Sequence, residues 1–132
     1  MEEEKLSEQL GPALTVGATH LFLVAVLIAF CKVRVPHYTD VFDDVAKDLP
    51  RVTEVVLGFG NFVAGHWYWL VPPILVFLAG DMLVFMLIRK HRNESFARVW
   101  AWAVIGLLGM VLVGCWLALR LTLAGMTGDM PA

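Results

Sequence analysis

Three stretches of this chain carry no Asp, Glu, Lys or Arg: Gly11 to Cys31, Val55 to Gly80 and Val99 to Leu119. Each is at or above the roughly 20 residues that an α-helix needs to cross a ~30 Å hydrocarbon core. The chain has 132 residues, of which 59% are hydrophobic and only 17% charged, so a soluble domain of this size would have no interior large enough for its apolar side chains. The sequence therefore predicts an all-α integral membrane protein with three transmembrane helices. These cover residues 11–31, about 67–88 and 99–123, the second lying inside a long helix over 50–89. Residues 1–10 and 124–132 form the tails, and residues 32–54 and 89–98 the two loops.

The chain opens with Glu2, Glu3 and Glu4, where a secretion signal needs basic residues, and its first apolar run is too long for one. A retained anchor is expected. Cys31 follows Phe30, not the small residue that lipoprotein processing requires, and Cys31 and Cys115 read as small hydrophobes in apolar sequence. Arg89, Lys90, Arg92 and Arg98 face a single Glu94 in the second loop. That density of permanent positive charge places the loop in the cytoplasm, with the N-terminus inside and the C-terminus outside. Inner-leaflet phospholipid is the expected counterpart of this basic loop, which is too short to bind nucleic acid. His66, Trp67, Tyr68 and Trp69 form an aromatic belt at the outer face, and Trp100 with Trp102 one at the inner face.

The first loop has its own periodicity. Tyr38, Phe42, Val45, Ala46 and Leu49 recur at helical spacing, with aspartates and a lysine between them. This predicts a separate extracytoplasmic amphipathic helix over 38–49, with Asp43 and Lys47 spaced for an i,i+4 pair and Pro50 ending it. A second helix starts at Pro50 and runs into the membrane, kinked in its outer half by Pro72-Pro73.

Within this loop the order Val35-Pro36-His37-Tyr38, Phe42, Leu49-Pro50-Arg51-Val52-Thr53, Phe62 and Tyr68-Trp69 resembles the type II secretion F family, which includes the inner-membrane platform proteins of type IV pili. In that family the corresponding segment joins two spans on the periplasmic side. The resemblance implies a membrane scaffold or accessory subunit of a secretion or pilus assembly complex, with Val35, Pro36, Tyr38, Phe42, Leu49, Pro50, Thr53, Phe62 and Trp69 as motif or interaction residues. It covers roughly half the chain. Gly60-Asn61 stands where the family has Ser, Tyr38 where Phe is common, and the cytoplasmic helical bundles of the family have no counterpart, which implies a short version that keeps the membrane hairpin.

Ionisable residues inside spans are costly and mark function by default. His20 and Asp81 each lie about eight residues from the cytoplasmic end of their spans, a depth of ~12 Å at 1.5 Å per residue. Antiparallel neighbours bring them together in a hydrogen bond or ion pair that sets helix register. Two other readings stay open: Asp81 sits near the interface on a span shifted outward, or it carries a coupling proton in a small oligomeric transporter. Arg120 snorkels to the headgroups or pairs with Glu54 or a loop aspartate. His37 and His66 are expected at the interface, bonded to water or lipid.

Ala25 with Ala29 and Gly114 with Ala118 are small residues four apart, and Gly106 and Gly109 share the third span, so these positions suit close helix packing within one chain or in a homo-oligomer. No zinc spacing, nucleophile elbow, His-Glu-x-x-His or phosphate-binding lysine loop is present in the sequence. A non-enzymatic protein without cofactor is expected, partnered by the bilayer and other membrane proteins. An unrelated structural subunit of a membrane complex is the alternative to the platform reading.

Overall fold

A computed structural model describes residues 2–45 and 48–128. The chain is all-helical: α1 spans Glu2–Val45, α2 Arg51–His91 and α3 Glu94–Gly128. All three are long and apolar enough to cross a membrane, the property of a multi-pass membrane protein. The Pro50 carbonyl accepts the first bonds of α2, from the amides of Thr53 (2.9 Å) and Glu54 (3.1 Å). Asn93 caps α3: its Oδ1 accepts the Glu94 amide at 2.9 Å and its carbonyl accepts those of Phe96 and Ala97.

The separate amphipathic helix expected over 38–49 is not present. Residues from Tyr38 to Val45 are instead the last turns of α1, Leu49 lies in irregular chain, and Ala46 and Lys47, with the expected Asp43–Lys47 pair, fall outside the described residues. The physical reason is a continuous stripe. Cys31, Val35, Tyr38, Phe42 and Val45 are all buried or half-buried at alternating steps of four and three, so one face runs unbroken from the apolar span into the loop sequence. Pro36 sits within this helix, and the Thr39 hydroxyl donates to the adjacent Val35 carbonyl at 3.0 Å. In α2 the backbone leaves the helical region at His66 (φ −123°, ψ 23°), between Gly65 and the Pro72-Pro73 pair. The His66 Nδ1 donates to the Phe62 carbonyl at 3.2 Å, and its ring stacks on Phe62.

The helices pack as two compact units. One comprises Met1–Ala25 with Trp69–Gly109, and the other Val26–Tyr68 with Met110–Ala132. In the first, Ala13, Phe85, Ala97 and Ala101 form the buried core, flanked by Val16, Met82, Met86 and Ile88. Gly17 lets α1 approach α2 closely: a Cβ there would stand 2.8 Å from the Met82 Sδ.

In the second unit Val35, Phe42, Leu57, Leu119 and Met126 are buried together, with Tyr38, Leu49 and Leu123 against them. Thr53, 1% exposed, bonds Thr122 at 2.7 Å between the hydroxyls. Because the single Thr122 hydrogen goes to the Ala118 carbonyl (2.8 Å), Thr53 is the donor in that contact. The Asn61 amide donates to the Thr39 hydroxyl at 3.2 Å. Gly60 marks the closest approach, since an added Cβ would lie 2.6 Å from a Val35 methyl. Gly60→Ala should therefore destabilise the protein by about 1–3 kcal/mol in a detergent unfolding titration, with Val35→Ala restoring much of the loss. Additive losses in the double variant would contradict this contact.

Candidate functional site

The first unit is threaded by a ladder of facing residues. Ala13 and Phe85 share its core, Gly17 abuts Met82, and His20 meets Asp81, so α1 and α2 run antiparallel. Arg89 with Glu94 and Phe85 with Ala97 define the same relation between α2 and α3. Small residues one turn apart, Ala13 with Gly17 and Ala97 with Ala101, let the backbones come close. At the deep end of this ladder a polar group appears on each helix.

His20 has no exposed surface and Asp81 is 5% exposed. The His20 Nδ1 is bonded to the Asp81 Oδ2, the His20 Nε2 reaches the Ala101 carbonyl at 3.3 Å, and the Trp100 indole nitrogen reaches the Asp81 Oδ1 at 2.8 Å. One cluster thus joins all three helices. No buried side-chain nitrogen or oxygen among the described residues lacks a partner.

The chemistry of these atoms fixes the proton count. The Ala101 carbonyl only accepts, so the His20 Nε2 carries a hydrogen, and the Trp100 indole only donates. One proton lies between the imidazole Nδ1 and the Asp81 Oδ2. A cluster built this way avoids the cost of an isolated ion in apolar surroundings and satisfies each polar atom.

The other residues singled out in the sequence distribute unevenly. Val35, Tyr38, Phe42 and Leu49 join the core of the second unit and Thr53 bonds Thr122, whereas Pro36 is half-buried and Pro50, Phe62 and Trp69 are exposed. Arg120 is exposed and lies over the Trp116 ring at 5.4 Å, one turn away. Among the described residues it makes no ion pair with Glu54 or an aspartate. His37 and His66 are exposed. Gly106, Gly109 and Gly114 face open space, Ala25 and Ala29 are exposed and Ala118 is half-buried, so the close approaches use Gly17 and Gly60 instead. The sequence reads Trp100 as an interfacial belt residue, at the start of the third span and not at the depth of Asp81, so depth counting carries no signal for its bond to Asp81.

Among the described residues no three His, Cys, Asp or Glu side chains converge to hold a metal ion. The site is a clamp with one shared proton. Asp81→Asn keeps every bond, with the amide oxygen accepting from Trp100 and the amide N–H donating to a neutral His20. It should change stability by less than about 1 kcal/mol in thermal or denaturant unfolding. Asp81→Leu strands both partners and should cost about 2–4 kcal/mol. Equal losses in the two variants would contradict the hydrogen-bond assignment.

Comparison with known proteins finds no matching family model, no matching curated protein and no matching solved structure.

Proposed function

We propose that this chain is a non-enzymatic, multi-pass membrane scaffold or accessory subunit, inserted in a bacterial inner membrane with the Arg89–Arg98 turn in the cytoplasm. The observation that carries this reading is the His20–Asp81–Trp100 cluster, in which the buried imidazole and carboxyl groups are spent on joining the helices. Polar groups arranged this way set the relative register of helices, and no buried side-chain nitrogen or oxygen among the described residues is left unpaired.

A scaffold must offer surfaces to its neighbours. Gly106, Gly109 and Gly114 of α3 meet nothing within 4 Å, and Trp102, Leu107 and Met110 are exposed on the same helix. In the segment that resembles the type II secretion F family, most of the motif residues pack inside, while Pro50, Phe62 and Trp69 stay on the surface. These three are the candidates for contact with a secretion or pilus assembly complex.

A second reading is favoured by one further observation. Asp81 and Trp100 line an apolar pocket of about 420 Å³ with Phe77, Gly80, Val84 and Leu107. Proton-coupled transport would need the proton between His20 and Asp81 to move. Asp81→Asn separates the two readings, because it preserves the clamp and removes the exchangeable proton: the scaffold keeps its activity, and a proton carrier loses it.

The direct test is purification of the tagged protein from its native membrane in mild detergent, with mass spectrometry of what accompanies it. Other membrane proteins in fixed ratio are the expected result, with Phe62→Ala releasing them while the protein stays folded. Recovery of the chain alone, as a defined oligomer, would overturn the scaffold reading.

A further inference from the structure

Within the first unit, near the Arg92-Asn93 turn, the three helices leave a groove of about 360 Å³. Its lining changes character along α3. Glu94 and Arg98 stand at the end nearest the turn with Arg89 of α2, Phe85 and Val16 line the middle beside Ala101 and Trp102, and Ile105 lies at the far end. Arg98 and Ile105 are seven residues apart, about 10 Å along a helix. The groove is thus cationic at its mouth and apolar for the next two turns.

The charges at the mouth are not equivalent. Arg89 is already engaged, donating to Glu94 at 3.3 Å and to the Glu8 carbonyl at 3.5 Å. Arg98 is exposed and makes no hydrogen bond or ion pair among the described residues. With Glu94 offset by Arg89, the mouth keeps one net positive charge, carried by a guanidinium able to grip two phosphate oxygens at once.

We propose that this groove binds an anionic phospholipid, with its phosphate and headgroup on Arg98 and an acyl chain along Phe85, Ala101 and Ile105. The proposal rests on the membrane reading above and adds to it a specific lipid site. Charge complementarity selects the headgroup. The apolar depth selects a lipid over a free phosphate, which would leave Phe85 and Ile105 unfilled. Trp102, beside the mouth, suits the amphipathic boundary between headgroup and chain. A basic groove between helices on the cytoplasmic side is a recurrent form of phospholipid recognition.

The test uses the full chain, purified and delipidated in detergent, with phosphatidylglycerol, phosphatidylcholine or inorganic phosphate added at matched concentration. Retained lipid is read by native mass spectrometry and Tm by unfolding. Phosphatidylglycerol is expected to be retained and to raise Tm, with phosphatidylcholine at least about fivefold weaker and phosphate without effect. Arg98→Ala should lower phosphatidylglycerol affinity about fivefold and leave phosphatidylcholine unchanged, while Ile105→Trp, which fills the apolar end, should weaken both lipids.

Equal retention of the two lipids, an equal response to inorganic phosphate, or full phosphatidylglycerol affinity in Arg98→Ala would overturn the proposal. Should Arg98→Ala fail to fold, Arg98→Gln gives the same reading. Alkaline extraction from phosphatidylcholine vesicles keeps the two levels apart. Protein that stays in the vesicles upholds membrane insertion whatever the lipid preference, and protein that is released overturns insertion itself.

Discussion

An imidazole with no exposed surface, set in an apolar helix, can satisfy both of its nitrogens on neighbouring helices. His20 does so through Asp81 on α2 and the Ala101 carbonyl on α3, and Trp100 closes the arrangement by donating to the other carboxyl oxygen. Apolar contact alone gives little reason for helices in lipid to prefer one register, because the tails are as apolar as the side chains. A hydrogen-bonded cluster does give one. Sliding α1 by one residue against α2 would carry the imidazole about 1.5 Å along and some 100° around the helix, out of reach of the carboxylate.

The other contacts of that unit follow from this register. Gly17 falls opposite Met82, where a larger residue would meet its sulfur, and Phe85 lies between Ala13 and the Ala97–Ala101 face of α3. The exposed pair of Arg89 with Glu94 adds little energy beside these, since a surface ion pair contributes ~0–1 kcal/mol. The second unit uses the same means on a smaller scale: a hydroxyl pair, Thr53 with Thr122, and a glycine, Gly60, against a β-branched side chain. Each is a short polar or steric device that only one alignment satisfies.

What the sequence made legible follows from the physics of each signal. Length and apolarity of the runs determine helices, so three helices could be read directly, and depth counting from the charged ends placed His20 and Asp81 at one level. The amphipathic stretch from Tyr38 was read as a separate element because its polar face changes at the aspartates. Its apolar face does not change, and the helix follows the apolar face through Pro36 to Val45. Small residues four apart occur on several faces of these helices. Spacing could not show that Ala13–Gly17 and Ala97–Ala101 face neighbours while Ala25–Ala29 and Gly114 look outward, because that depends on which face carries the buried polar residue. His20 lies on the same face as Ala13 and Gly17, so the polar group identifies the packing face better than the small residues do.

The clamp is tested most directly by nitrogen NMR of histidine-labelled protein, with His20 assigned by its absence in His20→Gln. The account predicts an Nε2 that carries a hydrogen across neutral pH, donates it to a carbonyl, and exchanges that hydrogen with deuterated solvent far more slowly than the exposed His37 and His66. An unprotonated Nε2, or exchange as fast as at those exposed rings, would contradict it.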